Sequence, residues 1–437
     1  MTPLAIALIV LVAMFLLGLP IFMSLIISSV VAILAGGDIL PLSVIHNSLF
    51  DGLNLFPLLA IPCFVVAGTL MEFGNITQQI VDVVKQLVGR VYGGLGITTI
   101  LACTFFAAIS GSGPGTVAAV GTILVPAMVR NGYSKDYASA AASSGGTIGI
   151  LIPPSIMLVS MGSYANVSVG KIFFAAIVPG LVLSLFYMIY VFVICHIHPD
   201  YGPAMTTEEL AAMPLRERIT GSLVNLIPPV ILIVGVLGSI FTGWATPTEA
   251  AGVGALFSLI LAIFYKQFSW KMLYDSLIDT AKTSAMVFII LFGASAFTGI
   301  FMSLDGDQLI ATWISSVGIG KWGAFAIMMA IVFFMGMFLD WLGIVMIVFP
   351  IFLPIMDMFG FDRLWIVAVT AVMLQTCFMT PPFGFALFYI KGIVPPSVKI
   401  QEIYRGVIPF ILIIIAVVIL VTVFPQVVYF LPNLVAS

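Results

Sequence analysis

The sequence predicts an all-α polytopic membrane protein, an inverted-topology repeat with two re-entrant hairpins and two broken helices. Three observations carry that expectation. Of the 437 residues 62% are hydrophobic and only 8% charged, against about 45–50% and about 25% in a soluble chain. Apolar stretches of membrane-spanning length recur from end to end. The chain also matches itself at one fixed offset, with the two halves facing opposite ways. From 15 Lys+Arg and 18 Asp+Glu no water-facing surface of this size can be built. That excludes a soluble enzyme, a nucleic-acid binder and a disordered chain.

A spanning helix needs about 20 apolar residues. Segment 2–36 carries Gly18–Pro20 at its middle, so two short helices turning there are expected, with the N-terminus outside. No basic region precedes the apolar run, and a cleaved signal peptide is not expected. An interfacial linker, 37–52, leads to a span at 53–73. Segments 93–130 and 136–165 are broken by Gly, Pro and Ser clusters, and 173–196 is a single span. Segments 223–243 and 250–265 form the next pair, and 266–282 (KQFSWKMLYDSLIDTAK) is amphipathic enough to lie flat on the membrane. A span at 283–304 precedes the interrupted segments 322–359 and 364–391, and a last span covers 404–430. About ten spanning helices plus two hairpins result. Cys63, Cys103, Cys195 and Cys377 lie in apolar stretches without ligand spacing and read as small buried hydrophobes.

Charge placement fixes the orientation. If 74–92 is cytoplasmic and the segments 93–130 and 322–359 each enter and leave on one side, twelve cations fall inside: Lys85, Arg90, Arg130, Lys135, Arg216, Arg218, Lys266, Lys271, Lys282, Lys391, Lys399 and Arg405. Only Lys171, Lys321 and Arg363 fall outside. Positive-inside sorting predicts that bias. A full crossing by either hairpin segment would flip everything downstream and erase it.

An offset of 228 residues places Phe105-Phe106 on Phe333-Phe334, Gly115 on Gly343, Pro126 on Pro354, Met128 on Met356, Gly132 on Gly360 and Pro153-Pro154 on Pro381-Pro382. With the charge assignment, 93–130 opens to the cytoplasm and 322–359 to the outside. Oppositely oriented repeats are a sign of secondary transporters.

Four non-helical points follow: a first tip at Ser110–Thr116, a first break at Ser144–Ser155, a second tip at Leu339–Gly343 and a second break at Gln375–Gly384. Unwound backbone at membrane depth persists only inside protein or beside an aqueous cavity. One half-helix aims free carbonyls at such a point and the next aims free amides. Carbonyls with Ser/Thr hydroxyls suit a dehydrated sodium ion, and amide-bearing N-termini suit a carboxylate. The same hydroxyls can instead bond back to a carbonyl one turn earlier.

Asp340 is the acidic residue at a tip, and its repeat partner is Ser112. A carboxylate at the bilayer centre costs about 2.5–3.5 kcal/mol, so it contacts substrate or cation, or it caps the second half-helix. Glu249, following Pro247, reads as an ordinary helix start. Glu72, Asp357, His46, His196 and His198 sit near predicted helix ends. The sequence offers no nucleophile–base–acid set, phosphate loop or metal spacing, so no enzyme is expected.

The runs SGSGPGTVAAVGTILVPAM, ASSGGTIGILIPPSIMLV and QTCFMTPPFGFALFY resemble the large membrane subunit of TRAP (tripartite ATP-independent periplasmic) transporters, along essentially the whole chain. The resemblance implies an elevator-type, sodium-driven importer of organic acids in the bacterial inner membrane, with both termini periplasmic. Its partners are a small four-helix membrane subunit, here expected as a separate chain, and a periplasmic substrate-binding protein. It implies scaffold helices and an interfacial segment over 1–92, a first hairpin and broken helix of the transport domain over 93–165, scaffold helices with an interfacial arm over 166–321, a second hairpin and broken helix over 322–394, and a C-terminal scaffold helix over 395–437.

Carried over by motif, one sodium ion lies between Ser110, Gly111 and Ser112 and Gly145, Gly146, Thr147 and Pro153. A second lies between Gly343 and Thr376, Met379, Thr380 and Pro381. Substrate, a C4-dicarboxylate or a sialic-acid-type sugar acid, lies near Ser112, Ser155 and Asp340, the last facing hydroxyl groups of a polyol acid. A self-sufficient sodium–dicarboxylate symporter of the same design is the alternative. An intramembrane enzyme using Asp340 lacks a second acidic partner, and paired broken helices disfavour a channel.

Overall fold

The computed structural model describes residues 2–36, 43–73, 91–111, 113–204, 227, 230–306, 308–309, 312, 318–382, 384–394 and 398–436. Ser112, the cations Lys85, Arg90, Arg216 and Arg218 expected on the cytoplasmic side, and part of the 37–52 linker lie outside the described residues. The described chain is helical throughout, without a strand.

Helices α1 (Pro3–Leu16) and α2 (Ile21–Gly36) turn back on one another where Gly18 takes φ +76°. That left-handed conformation is open to glycine at no steric cost. Helix α3 (Ser43–Leu53) and a short 3₁₀ turn lead to α4 (Ala60–Phe73). Helices α5 (Gly94–Ser110) and α6 (Gly113–Arg130) are joined by a tight turn. Then come α7 (Lys135–Ile148), α8 (Ile156–Tyr164) and the long α9 (Val169–Ile197). In the 131–134 turn, the Tyr133 hydroxyl accepts the Leu95 amide at 3.1 Å and so closes the start of α5. Burial pushes the Tyr133 phenol above its ordinary range, so it stays neutral there.

The second half opens with α10 (Val230–Phe241) and α11 (Pro247–Phe264). Thr246 and Glu249 close the start of α11 as a reciprocal capping box, the ordinary helix start expected of Glu249. Helix α12 runs unbroken from Trp270 to Ser303. This corrects the expectation of a separate arm at 266–282. No Gly or Pro interrupts the chain between Trp270 and Ile290, so the amphipathic stretch and the span behind it propagate as one rod. Helices α13 (Lys321–Gly336), α14 (Trp341–Met358), α15 (Arg363–Met373), α16 (Phe385–Ile393) and α17 (Ile400–Val423) follow, then α18 (Gln426–Ala436). The last span therefore ends near Phe424, not at 430: Pro425 cannot continue the ladder.

The halves are interlocked. Helix α2 packs on α12, while α11 packs on α4; α9 packs on α15, while α17 packs on α7. Each half thus supplies walls for the other. Between them sit the broken elements, with every residue of α7 from Tyr137 to Ile148 buried. Among the described residues α9, α11, α12, α14 and α17 are long and apolar enough to cross a membrane. The nine-residue α8 and α16 are about 14 Å long, half of a bilayer core of about 30 Å.

Candidate functional site

At the first break α7 stops at Ile148, and an irregular stretch containing the cis Pro153-Pro154 bond leads to Ser155. The tight turn between α5 and α6 lies directly on it. Gly111 has φ +59°, and a Cβ there would come 2.9 Å from the Pro154 carbonyl oxygen. Gly146 faces the start of α6 so closely that a Cβ would fall 2.1 Å from Val117 Cγ2 and 3.0 Å from the Val117 amide nitrogen. On the other side of α7 a Cβ at Gly145 would meet Cys103 Sγ of α5 at 3.0 Å. Gly111, on the Pro153-Pro154 break, and Gly146, on the start of α6, therefore sit where two backbones approach closely, with Gly145 turned towards α5. Ser110 closes α5 in the same place. Glycine at these positions lets backbone approach backbone, which exposes carbonyl and amide dipoles to a shared space.

Two of the hydroxyls there, Thr147 and Ser155, are locally engaged. Thr147 Oγ1 donates to the Ser144 carbonyl at 2.9 Å. Ser155, fully buried, is the N-cap of α8: its Oγ donates to the Ile150 carbonyl at 2.5 Å and accepts the Leu158 amide at 3.3 Å. Its one proton is committed, so in this conformation Ser155 cannot donate to a carboxylate. Its remaining lone pair suits a cation or a substrate hydroxyl. Thr147 likewise keeps lone pairs for a cation after giving its proton to the backbone.

The second break repeats this architecture with other residues. Helix α15 tightens into a 3₁₀ turn over Leu374–Phe378, and the cis Pro381-Pro382 bond precedes α16. Thr376 Oγ1 donates to Met373 O, and the Thr376 carbonyl accepts the Met379 amide at 3.0 Å and the Thr380 amide at 2.8 Å. Thr380 Oγ1 donates to the same carbonyl at 2.7 Å. The close approach from the second hairpin is made by Gly336, where a Cβ would lie 3.1 Å from Cys377 Cα. Gly343, the expected partner of Thr376, Met379, Thr380 and Pro381, instead faces Ile21 of α2, with a Cβ placed 2.7 Å from Ile21 Cδ1.

Asp340 is the N-cap of α14, its Oδ1 accepting the Gly343 amide at 3.1 Å. It also lines a cavity of about 910 Å³ with Phe338, Trp341, Phe378, Phe385 and Tyr389, closed on its far side by α1 and α2. Capping and cavity-facing roles thus coexist in one carboxylate.

Two polar groups that sequence reasoning passed over stand out. Ser144 Oγ and Gln375 Oε1 are buried without a hydrogen-bond partner among the described residues. Gln375 gives its amide hydrogen to the Ala371 carbonyl at 3.0 Å, which leaves its oxygen as the unpaired end. The repeat offset was the available signal, since it puts Gln375 on Thr147.

A family model described as the DctM component of the tripartite ATP-independent periplasmic transporter matches residues 8–427. A C4-dicarboxylate TRAP transporter large permease protein of Pseudomonas aeruginosa is 33% identical over 389 residues, covering 88% of each chain. A sialic acid TRAP transporter large permease protein of Vibrio cholerae is 29% identical, covering 89% of each. Among solved structures, MtrF of Neisseria gonorrhoeae, from a class of antimetabolite efflux pumps, aligns with a TM-score of 0.62 at 14% identity, over 87% of this chain and 83% of its own. That last likeness is one of fold.

Proposed function

The chain belongs to the DctM-component family of tripartite ATP-independent periplasmic transporters, and from that membership we propose that it is the large permease subunit of a sodium-coupled importer of an organic acid. The acid is a C4-dicarboxylate or a sialic-acid-type sugar acid, two of the classes named for its relatives. The subunit is a multi-pass protein of the bacterial inner membrane with both termini periplasmic. It works with a small membrane subunit and a periplasmic binding protein that delivers the acid.

One observation carries the reading: the α5–α6 turn seats its Gly111 against the Pro154–Ser155 break between α7 and the half-length α8. A turn meeting a helix break is a turn at mid-bilayer, which supports a re-entrant hairpin. The α13–α14 turn beside the second break supports its counterpart, and the two together support an inverted repeat. In this reading 93–165 and 322–394 move as the transport domain against scaffold formed by 1–92, 166–321 and 395–437. One sodium ion sits at Ser110, Gly111, Ser112, Gly145, Gly146, Thr147 and Pro153. The other sits at Thr376, Met379, Thr380 and Pro381, while Gly343, in the first turn of α14, faces Ile21. Cation charge lowers the cost of carrying a carboxylate through apolar surroundings.

The test is reconstitution of the three components in liposomes with an inward sodium gradient, offering C4-dicarboxylates and N-acetylneuraminate. Uptake that needs sodium and both partners is expected. Uptake by this chain alone, or undiminished uptake with choline in place of sodium, overturns the proposal. Ser112→Ala is expected to raise the sodium concentration for half-maximal uptake severalfold, and an unchanged sodium curve removes Ser112 from the ion site.

A further inference from the structure

A second cavity, of about 600 Å³, lies between α3 and α12 on one side and α8, α14 and the start of α15 on the other. Its volume is ordinary for a small-molecule site. Among apolar side chains such as Leu291, Phe349 and Leu353, its lining also carries Tyr164, Asn166, Ser295, Thr298 and Arg363, a larger polar share than in the cavity beside Asp340. Ser163 is 7% exposed, and its hydroxyl has no hydrogen-bond partner among the described residues. That oxygen is enclosed by protein, so the donors that open into the cavity are those of the neighbouring side chains. Tyr164 Oη and Thr298 Oγ1 lie 2.5 Å apart across the α8–α12 gap. One proton serves that bond, which leaves the second hydroxyl proton of the pair to donate elsewhere.

Arg363 supplies the charge. Its Nε and Nη2 donate to the Asp357 carboxylate, and its Nη1 donates to the Ala165 carbonyl at 3.1 Å. A guanidinium has five N–H groups, so among the described residues one remains on each terminal nitrogen. Guanidinium N–H groups bind a carboxylate through charge-assisted hydrogen bonds. Asp357 balances the charge, so an acid held here is not trapped.

We propose that this cavity is an outer docking site for the carboxylate of the organic acid, occupied before the acid reaches the two helix breaks. The carboxylate takes the remaining N–H groups of Arg363, and the acid's oxygen-bearing body meets Tyr164 and Thr298. This rests on the organic-acid reading of the function. The donors are side chains fixed by their own helices, and no sodium ion is needed to assemble them. Docking here is therefore sodium-independent, whereas the central site is organised by the cation.

The test uses the purified full-length chain in sodium-free choline buffer, with succinate, malate and N-acetylneuraminate as probes in calorimetric titration. At least one probe is expected to bind. Arg363→Gln is expected to weaken that binding tenfold or more, and Thr298→Val severalfold. Asp357→Asn is expected to tighten it, because a competing carboxylate is gone. Thr298→Val keeps the volume of its side chain and guards against a misfolded Arg363 variant. Failure of all three probes to bind without sodium overturns the proposal, as does binding untouched by both Arg363→Gln and Thr298→Val. Sodium-driven uptake by the assembled system is measured separately, so the docking site and the transport function fall independently.

Discussion

Asp340 shows how one side chain can cap a helix and still face a cavity. Its Oδ1 closes the first turn of α14 by accepting the Gly343 amide, while the residue lines the cavity facing α1 and α2. Asn caps helices about as well as Asp, so Asp340→Asn separates the two roles. The variant is expected to insert and melt like the wild type yet lose most uptake. Asp340→Ala loses the cap as well, at about 0.5–2 kcal/mol. Uptake and melting measured in parallel decide the matter, and full uptake by the Asn variant takes the carboxylate out of the site. Gly111 is a different case, because the constraint there is backbone. At φ +59° a residue with a Cβ costs roughly 1–2 kcal/mol, and the added atom would press on Pro154 O at 2.9 Å. Gly111→Ala is therefore expected to move the hairpin off the break and raise the sodium requirement for uptake at least severalfold. An unchanged sodium curve would show that the contact has no part in the ion site.

At the scale of elements, the same substitution is expected to change sign with place. Gly336 closes α13 against the 3₁₀ turn, and a Cβ there meets Cys377 Cα at 3.1 Å, backbone that cannot swing aside. Gly336→Ala is expected to lower stability by about 1–3 kcal/mol, the usual range for overpacking. Gly238 in α10 has nothing within 4 Å of its Cβ position, and Gly238→Ala is expected to gain up to about 1 kcal/mol of helix propensity. Paired melting curves check both signs. These glycines also mark what the sequence could and could not say. The turn at Gly18, the capping box at Thr246 and Glu249 and the two Pro-Pro breaks were legible because each is a local signal, written in residues that permit or forbid a conformation. The unbroken course of α12 was not, since an amphipathic stretch and a following span look like two elements until their shared helical phase is seen. Nor was the exchange of Gly336 for Gly343 at the second break, which is decided by packing between distant segments. Gln375 escaped notice because its unpaired oxygen exists only once the surrounding core has closed around it.

No Asp, Glu, Lys or Arg is fully buried among the described residues, so in the proposed cycle the ions carried dominate the electrical work. Moving one charge through a membrane potential is worth about 2.3 kcal/mol per 100 mV. Two sodium ions entering with a dianion carry no net charge, and the potential neither helps nor hinders. With a monoanion the same cycle carries one positive charge inward. An imposed potential of about −100 mV inside then raises the accumulation limit by roughly fifty-fold, taking about 1.4 kcal/mol per factor of ten. Liposomes holding the complete system, clamped with a potassium ionophore, are therefore expected to concentrate N-acetylneuraminate further as the interior becomes negative. Dicarboxylate accumulation is expected to stay flat over the same range. A potential-independent limit for the monoanion, or a steep one for the dianion, means that the number of cations is not two, and the two-break assignment of the ion sites fails with it.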